Sequence, residues 1–283
     1  MILPRCASLT RMTTLTTATT LDVPGARLHY ELRGSGPLIA LVGAPMDATA
    51  FAPLADLLAT DHTVLTTDPR GINRSSVDHP DRDSTPVERA ADLAALLRHV
   101  DAGPATVLGS SGGAVTVLAL VESAPELVHT AIPHEPPLQE LLPDHAELYE
   151  KTERMIATYL TGDTRSAWRQ FMDIGNLQMP DDVFEMFFGS PREGQDALDE
   201  HFQFAHMLRH TVRFRPDIDA LRSAPARIVV GIGEESTGEL CDRTSRALAD
   251  LLGIEPALFP GDHIGFVQQP DAFAARLREI IDA

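Results

Sequence analysis

The chain alternates between short, continuous apolar runs and longer segments of helical period. Runs such as Leu38–Val42 and Ala105–Leu108 have the length and composition of strands that are buried on both faces. The segment Leu93–Val100 instead places apolar residues at helical spacing and ends before Gly103-Pro104. Strands and helices that alternate in this way require a mostly parallel sheet covered by helices on both faces. The sequence therefore predicts an α/β fold with a doubly wound sheet.

Residues 136–216 interrupt this alternation, because they are helix-like and contain no convincing strand. We predict that they form a helical lid inserted into a core made of residues 21–135 and 217–283. Residues 1–20 are rich in threonine and lack the apolar core of a secretory signal. We expect this segment to be a disordered leader and the protein to be cytoplasmic.

Composition excludes several classes of protein. Of the 283 residues, 43% are hydrophobic and 23% are charged, as in a typical globular protein. No run approaches the roughly 18 apolar residues of a membrane span. The formal charge of −18 repels nucleic acid and anionic lipid, and two cysteines cannot build a disulfide framework. These features leave a small molecule as the expected partner and leave the oligomeric state open.

Gly109-Ser-Ser-Gly-Gly113 has the pattern G-x-S-x-G and lies directly between a predicted strand and a predicted helix. A serine on so tight a turn has strained backbone angles, and the flanking glycines remove the collisions that side chains would cause. The spacing selects Ser111 as a nucleophile, with Ser110 at the variable position. The helix that follows offers free N–H groups to a developing oxyanion.

A serine hydroxyl needs a positioned base. Of the 11 histidines, His263 is the best candidate because it follows the last predicted strand and precedes the terminal helix. Two glutamates at strand ends can supply the acid that orients it. Glu234 follows Gly231-Ile-Gly233, and Glu135 stands in His134-Glu-Pro-Pro137.

These motifs together resemble the α/β-hydrolase fold family over about residues 25–283, in particular its esterase-like and lipase-like members with a serine nucleophile and a helical lid. The matching segments are Gly109–Gly113, Asp68–Gly71, Gly231–Glu234 and Gly261–His263. The resemblance favours Glu234 as the triad acid, with Glu135 as the alternative and Glu235 as a lesser one. It also implies that the backbone N–H groups of Ala44 and Gly112 form the oxyanion hole, although Val42 stands where the family usually has histidine.

The lid segment holds most of the large apolar side chains, and we predict a substrate pocket lined by Trp168, Phe171, Met172 and Phe187. No dinucleotide or Walker motif is present in the sequence, so we expect no cofactor. We also expect no metal, because His206 and His210 have no carboxylate at the required offset.

The sequence thus predicts a serine hydrolase that cleaves a small, largely apolar ester or related carbonyl compound through an acyl-enzyme on Ser111. The rival hypothesis is a small-ligand-binding or receptor-like protein on the same fold. A perhydrolase, an aminopeptidase or a C–C hydrolase would use the same triad, and the sequence does not choose among them.

Overall fold

A computed structural model describes residues 16–283 as one sheet flanked by helices. The ten strands of this part of the chain are Thr16–Val23 (β1), Ala26–Arg33 (β2), Leu38–Val42 (β3), Thr63–Thr67 (β4), Ser76–Val77 (β5), Ala105–Ser110 (β6), Val128–His134 (β7), Arg227–Ile228 (β8), Gly231–Gly233 (β9) and Ala257–Phe259 (β10). Their main order is β1-β2-β4-β3-β6-β7-β9-β10, with β5 paired to β2 and β8 paired to β7. β2 pairs antiparallel with β1, β4 and β5. The other strand pairs within residues 16–283 are parallel.

Helices cover both faces of the sheet. Those in the described residues are Ala52–Leu58 (α1), Pro86–Val100 (α2), Gly112–Ser123 (α3), His145–Leu160 (α4), Thr164–Gly175 (α5), Asp181–Phe188 (α6), Gly194–Phe202 (α7), Leu208–Val212 (α8), Ile218–Ser223 (α9), Leu240–Leu252 (α10), Gly265–Gln268 (α11) and Pro270–Asp282 (α12). One core layer packs α2, α3 and α10 on the sheet, and a second packs α1 and α12 on the other face. The predicted α/β fold with a mostly parallel sheet is confirmed.

The central strands are apolar throughout because both of their faces are covered. All five residues of β3 are buried between β4 and β6. Each such leucine or isoleucine side chain stabilises the fold by roughly 1.5–3 kcal/mol. Locally, α2 begins with a capping box between Thr85 and Glu88 and ends at Asp101 in the left-handed conformation. In this half of the chain, the local capping residues and the pattern of burial therefore indicate the same helices and strands.

Helices α4 to α8 form a helical insertion, defined here as residues His145–Val212, between β7 and β8. A π-helical segment, Gln203–Met207, joins α7 to α8. The insertion has its own apolar cluster, in which Trp168 and Phe184 are buried and Phe204 stacks on Tyr159. α9 lies outside the insertion, because it packs on the core helices α3 and α10.

The predicted disordered leader is wrong for residues 16–20, which belong to β1 and pair with β2 in antiparallel register. Most of β1 is exposed, so its sequence carries no apolar alternation. The β-branched threonines still favour an extended backbone. The rest of the predicted leader, residues 1–15, lies outside the described residues. Within residues 16–283, no helix is long and apolar enough to cross a membrane.

Candidate active site

Ser111 occupies a sharp turn between β6 and α3. Its backbone angles are φ 57° and ψ −123°, a combination that is unfavourable for any residue other than glycine. A Cβ atom on Gly109 would lie 2.4 Å from the Gly113 carbonyl oxygen, and one on Gly113 would lie 2.1 Å from that of Val42. Both flanking positions therefore require glycine, as the G-x-S-x-G pattern predicts.

The two adjacent serines of this turn differ in exposure. Ser110 is fully buried, and its Oγ lies 3.4 Å from Nδ1 of His134 on the neighbouring strand β7. Ser111 is partly exposed, and its backbone N–H donates to the His134 carbonyl at 3.0 Å. Burial lowers the pKa of His134 to about 4, so this imidazole is neutral and supports the turn from inside the core. Of these two serines, only Ser111 is therefore accessible to a ligand.

His263 and Glu135 form a hydrogen-bonded pair in which Glu135 is buried and His263 is partly exposed. Nδ1 of His263 donates to Oε2 of Glu135 at 2.6 Å, and the other carboxylate oxygen accepts the Gly233 N–H at 2.7 Å. Glu135 is fully buried and follows β7 in the left-handed conformation, at φ 53°. Because Nδ1 carries the shared proton, neutral His263 keeps the lone pair of Nε2 free.

The charges of this pair stabilise each other. Burial alone would raise the pKa of Glu135, but the hydrogen bond and charge of His263 outweigh it and lower that pKa to about 2. Burial likewise opposes protonation of His263. Cys241 and the Glu135 carboxylate outweigh this effect and hold the pKa of His263 well above its usual range. The imidazolium form is thus favoured by its surroundings.

The predicted preference for Glu234 over Glu135 is corrected by the geometry. Glu234 is exposed after β9, and its backbone N–H donates to the Phe259 carbonyl at 2.8 Å. Glu235 is also exposed and lies 3.5 Å from the side-chain amide of Gln269. The turn after β9 thus directs both carboxylates away from His263, whereas the turn after β7 buries Glu135 against it.

Ala44 and Gly112, the two residues predicted to supply oxyanion N–H groups, lie against each other. A Cβ atom on Gly112 would be 2.4 Å from the Ala44 carbonyl oxygen. Both residues line the same cavity as Ser111. Neither backbone N–H donates a hydrogen bond to an acceptor within residues 16–283. Two N–H groups are therefore available next to the serine hydroxyl.

A cavity of about 340 Å³ lies between the helical insertion and the carboxyl edge of the sheet. Ser111 and His263 line its floor. Its wall is mostly apolar and includes Met46, Pro137, Met155, Trp168, Phe171 and Leu240. A cavity of this size and character accommodates a small, largely apolar molecule.

The predicted pocket residues divide into two pairs. Trp168 and Phe171, one helical turn apart on α5, line the cavity. Met172 instead packs into the apolar cluster of the insertion, and Phe187 is 60% exposed on α6. The prediction is wrong for these two side chains. On each helix the inward direction is set by neighbours that the sequence does not show.

Two titratable residues that line the cavity were missed by the sequence analysis. Glu239 and Cys241 flank the first residue of α10 and line the cavity beside His263. Burial raises the pKa of the Cys241 thiol, and burial together with the Glu135 charge raises the pKa of Glu239 to about 7. Their position after β9, at the carboxyl edge of the sheet, is the signal that could have found them.

Ligand atoms of Glu135, Cys241 and His263 lie within 4.8 Å of one another, and these are the residues from Thr16 onward whose spacing suits a metal ion. In the structure, Glu135 and His263 bond to each other. The structure brings to one cavity a serine hydroxyl, an imidazole paired with a carboxylate, and two N–H groups that have no acceptor within residues 16–283. These are the requirements of acyl transfer through a serine.

Comparison with known proteins agrees with the fold described above. The profile of the alpha/beta hydrolase family matches residues 38–276. The uncharacterized hydrolase YraK of Bacillus subtilis is 33% identical over 264 residues, which cover 93% of this chain and 95% of YraK. A zearalenone hydrolase of Bionectria ochroleuca is 27% identical over 269 residues, or 91% of this chain and 95% of that protein.

A solved structure shows the same likeness. An alpha/beta hydrolase from Sphaerobacter thermophilus superposes with a TM-score of 0.68 at 25% identity, covering 93% of this chain and 100% of its own. The fold, the family profile and relatives named as hydrolases identify an enzyme that hydrolyses its substrate. The chain belongs to the alpha/beta hydrolase family.

Proposed function

We propose that the protein is a carboxylic ester hydrolase that forms an acyl-enzyme on Ser111. The observation that carries this proposal is the convergence of three features in one cavity. Ser111 lies on a strained turn, His263 is held by the buried Glu135, and the N–H groups of Ala44 and Gly112 have no acceptor within residues 16–283. No single feature requires this chemistry, but their combination suits it.

In the first step, Nε2 of His263 takes the proton of the Ser111 hydroxyl while Oγ attacks the ester carbonyl carbon. Glu135 keeps its hydrogen bond to Nδ1 throughout. Its negative charge stabilises the imidazolium that forms, and it holds the ring in the orientation that exposes Nε2. The low pKa of Glu135, about 2, keeps this carboxylate charged at neutral pH.

The tetrahedral intermediate places a negative charge on the former carbonyl oxygen. The N–H groups of Ala44 and Gly112 donate to that oxygen, and the positive end of the α3 dipole adds to their effect. Such preorganised donors are usually the largest single contribution to catalysis, and loss of one costs about 10²–10³ in turnover.

Collapse of the intermediate releases the alcohol, which receives its proton from Nε2 of His263. The acyl group remains on Ser111 Oγ. His263 then takes a proton from water, the resulting hydroxide attacks the acyl carbonyl, and Ser111 recovers its proton as the acid leaves. No cofactor takes part in this sequence.

The cavity favours an uncharged substrate with an apolar group. Trp168 and Phe171 contribute aromatic surface to it, and the helical insertion acts as a lid over the reacting atoms. The formal charge of −18 disfavours anionic esters. The zearalenone hydrolase relative makes zearalenone a further compound to test.

The decisive experiment compares Ser111→Ala with Ser110→Ala. We expect Ser111→Ala to abolish turnover of a short-chain para-nitrophenyl ester, because the nucleophile is lost. Ser110→Ala should keep much of the activity, since Ser110 is buried beneath the turn. A fluorophosphonate should label the wild type and Ser110→Ala but not Ser111→Ala. Labelling of Ser110, or no labelling of folded wild type, would refute the proposal.

The cytoplasmic location expected from the sequence belongs to the same proposal. Fractionation of the producing cells, followed by an assay of ester hydrolysis, tests it.

A further inference from the structure

Glu239 presents a carboxyl group to the cavity that the proposed reaction does not use. It occupies the N-cap position of α10, and its backbone N–H donates to the Ser236 carbonyl at 3.0 Å. Its side chain lines the same cavity as Ser111 and His263. Any ligand that fills this cavity is therefore placed next to Glu239.

The Oε2 atom of Glu239 is buried and has no hydrogen-bond partner within residues 16–283. Two other buried polar side chains of the cavity wall, those of Gln139 and Thr211, are paired with neighbours. The Gln139 amide donates to Thr152 at 3.2 Å, and Thr211 accepts from Arg89 at 2.9 Å. An unpaired buried acceptor costs roughly 1–3 kcal/mol. A ligand that donates a hydrogen bond to the carboxyl group of Glu239 from the cavity would offset this cost.

We propose that Glu239 is a substrate-binding residue and that its carboxyl group hydrogen-bonds a hydroxyl group on an otherwise apolar ester. This inference rests on the proposed ester hydrolysis and narrows its substrate class. Glu239 does not touch the reacting atoms in this proposal. It selects among esters by pairing with a polar group distant from the scissile bond.

A hydroxyl group suits this site better than a cation does. Glu239 lines a cavity whose wall is mostly apolar. A hydroxyl can donate to the carboxylate and can accept from the carboxylic acid, so it pairs with both forms. An ammonium group pairs with the carboxylate alone and must also lose its hydration in a mostly apolar cavity.

The charged groups around Glu239 agree with a neutral partner. Glu135, Asp262 and Asp242 favour its protonated form, and His263 favours its charged form. Because Glu135 is already paired with His263, neither group is free to neutralise Glu239. The substrate itself is then the partner that completes the site.

The test uses para-nitrophenyl esters of hexanoic, octanoic and decanoic acids, each with and without a terminal hydroxyl group. The kcat/KM ratio of hydroxylated to plain ester is measured for the wild type, Glu239→Leu, Glu239→Gln and the exposed control Glu234→Gln. We expect the ratio for the best-fitting chain to fall about tenfold in Glu239→Leu, which corresponds to one lost hydrogen bond. The plain ester should be cleaved faster by this variant.

Glu239→Gln keeps a hydrogen-bonding side chain and should retain most of the preference, which also guards against misfolding of the leucine variant. Glu234→Gln should keep the wild-type ratio. Equal ratios in all four proteins, or a wild-type preference for the matching aminoacyl ester, would overturn the inference. Failure of the proposed function looks different, because Ser111→Ala would then retain turnover of every ester.

Discussion

Two glutamates end neighbouring strands of the sheet, yet their surroundings are opposite. Glu135 follows β7, is fully buried and binds His263 at 2.6 Å. Glu234 follows β9, is exposed, and its backbone N–H donates to the Phe259 carbonyl. In sequence, the position after a strand end favours both residues equally. The direction of the turn that follows each strand decides which carboxylate enters the site.

The largest expected difference between these two residues is in turnover. Glu135→Gln removes the charge that stabilises the imidazolium and should lower kcat about 10³–10⁴-fold, whereas Glu234→Gln should change it less than about twofold. Steady-state hydrolysis of a para-nitrophenyl ester measures both variants. Thermal unfolding and circular dichroism confirm that each remains folded. A larger loss for Glu234→Gln would reverse the assignment of the acid.

The next effect is on pH dependence. Neutral His263 is the proposed base, so kcat/KM should rise as pH increases through the pKa of His263, which lies well above its usual range. Removing the negative charge in Glu135→Gln destabilises the imidazolium. This lowers that pKa, so the rising limb moves to lower pH.

Single-turnover acylation across pH measures this shift even when turnover is slow. Glu234→Gln serves as the matched control and should keep the wild-type limb. An unchanged limb in Glu135→Gln would mean that Glu135 acts on His263 through orientation alone.

The smallest effect extends the contrast between buried and exposed side chains to the helical insertion. Phe171 lines the cavity, whereas Phe187 is 60% exposed. Phe171→Ala should shift the preferred acyl chain towards longer esters, with relative kcat/KM values changing about three- to tenfold. Phe187→Ala should leave the chain-length profile within about twofold of the wild type. Equal shifts in both variants would place the substrate elsewhere.

Much of the fold and the tight turn at Ser111 could be predicted from sequence because their causes are local. Gly109 and Gly113 are needed by the turn itself, and the apolar strand β3 needs cover on both faces wherever it lies. The exposed strand β1 was missed because it has no such local pattern. It satisfies its backbone through pairing with β2 and buries too little to leave a pattern.

The sequence by itself determined the class of sheet, the turn that holds Ser111 and the place of His263 after the last strand, since steric rules and apolar periodicity act over a few residues. Tertiary structure alone decided that Glu135 and not Glu234 binds His263, that Phe187 faces outward, and that Glu239 enters the cavity. Each of these depends on where a side chain points relative to residues distant in the chain. That direction follows from the packing of whole elements, which no local pattern encodes.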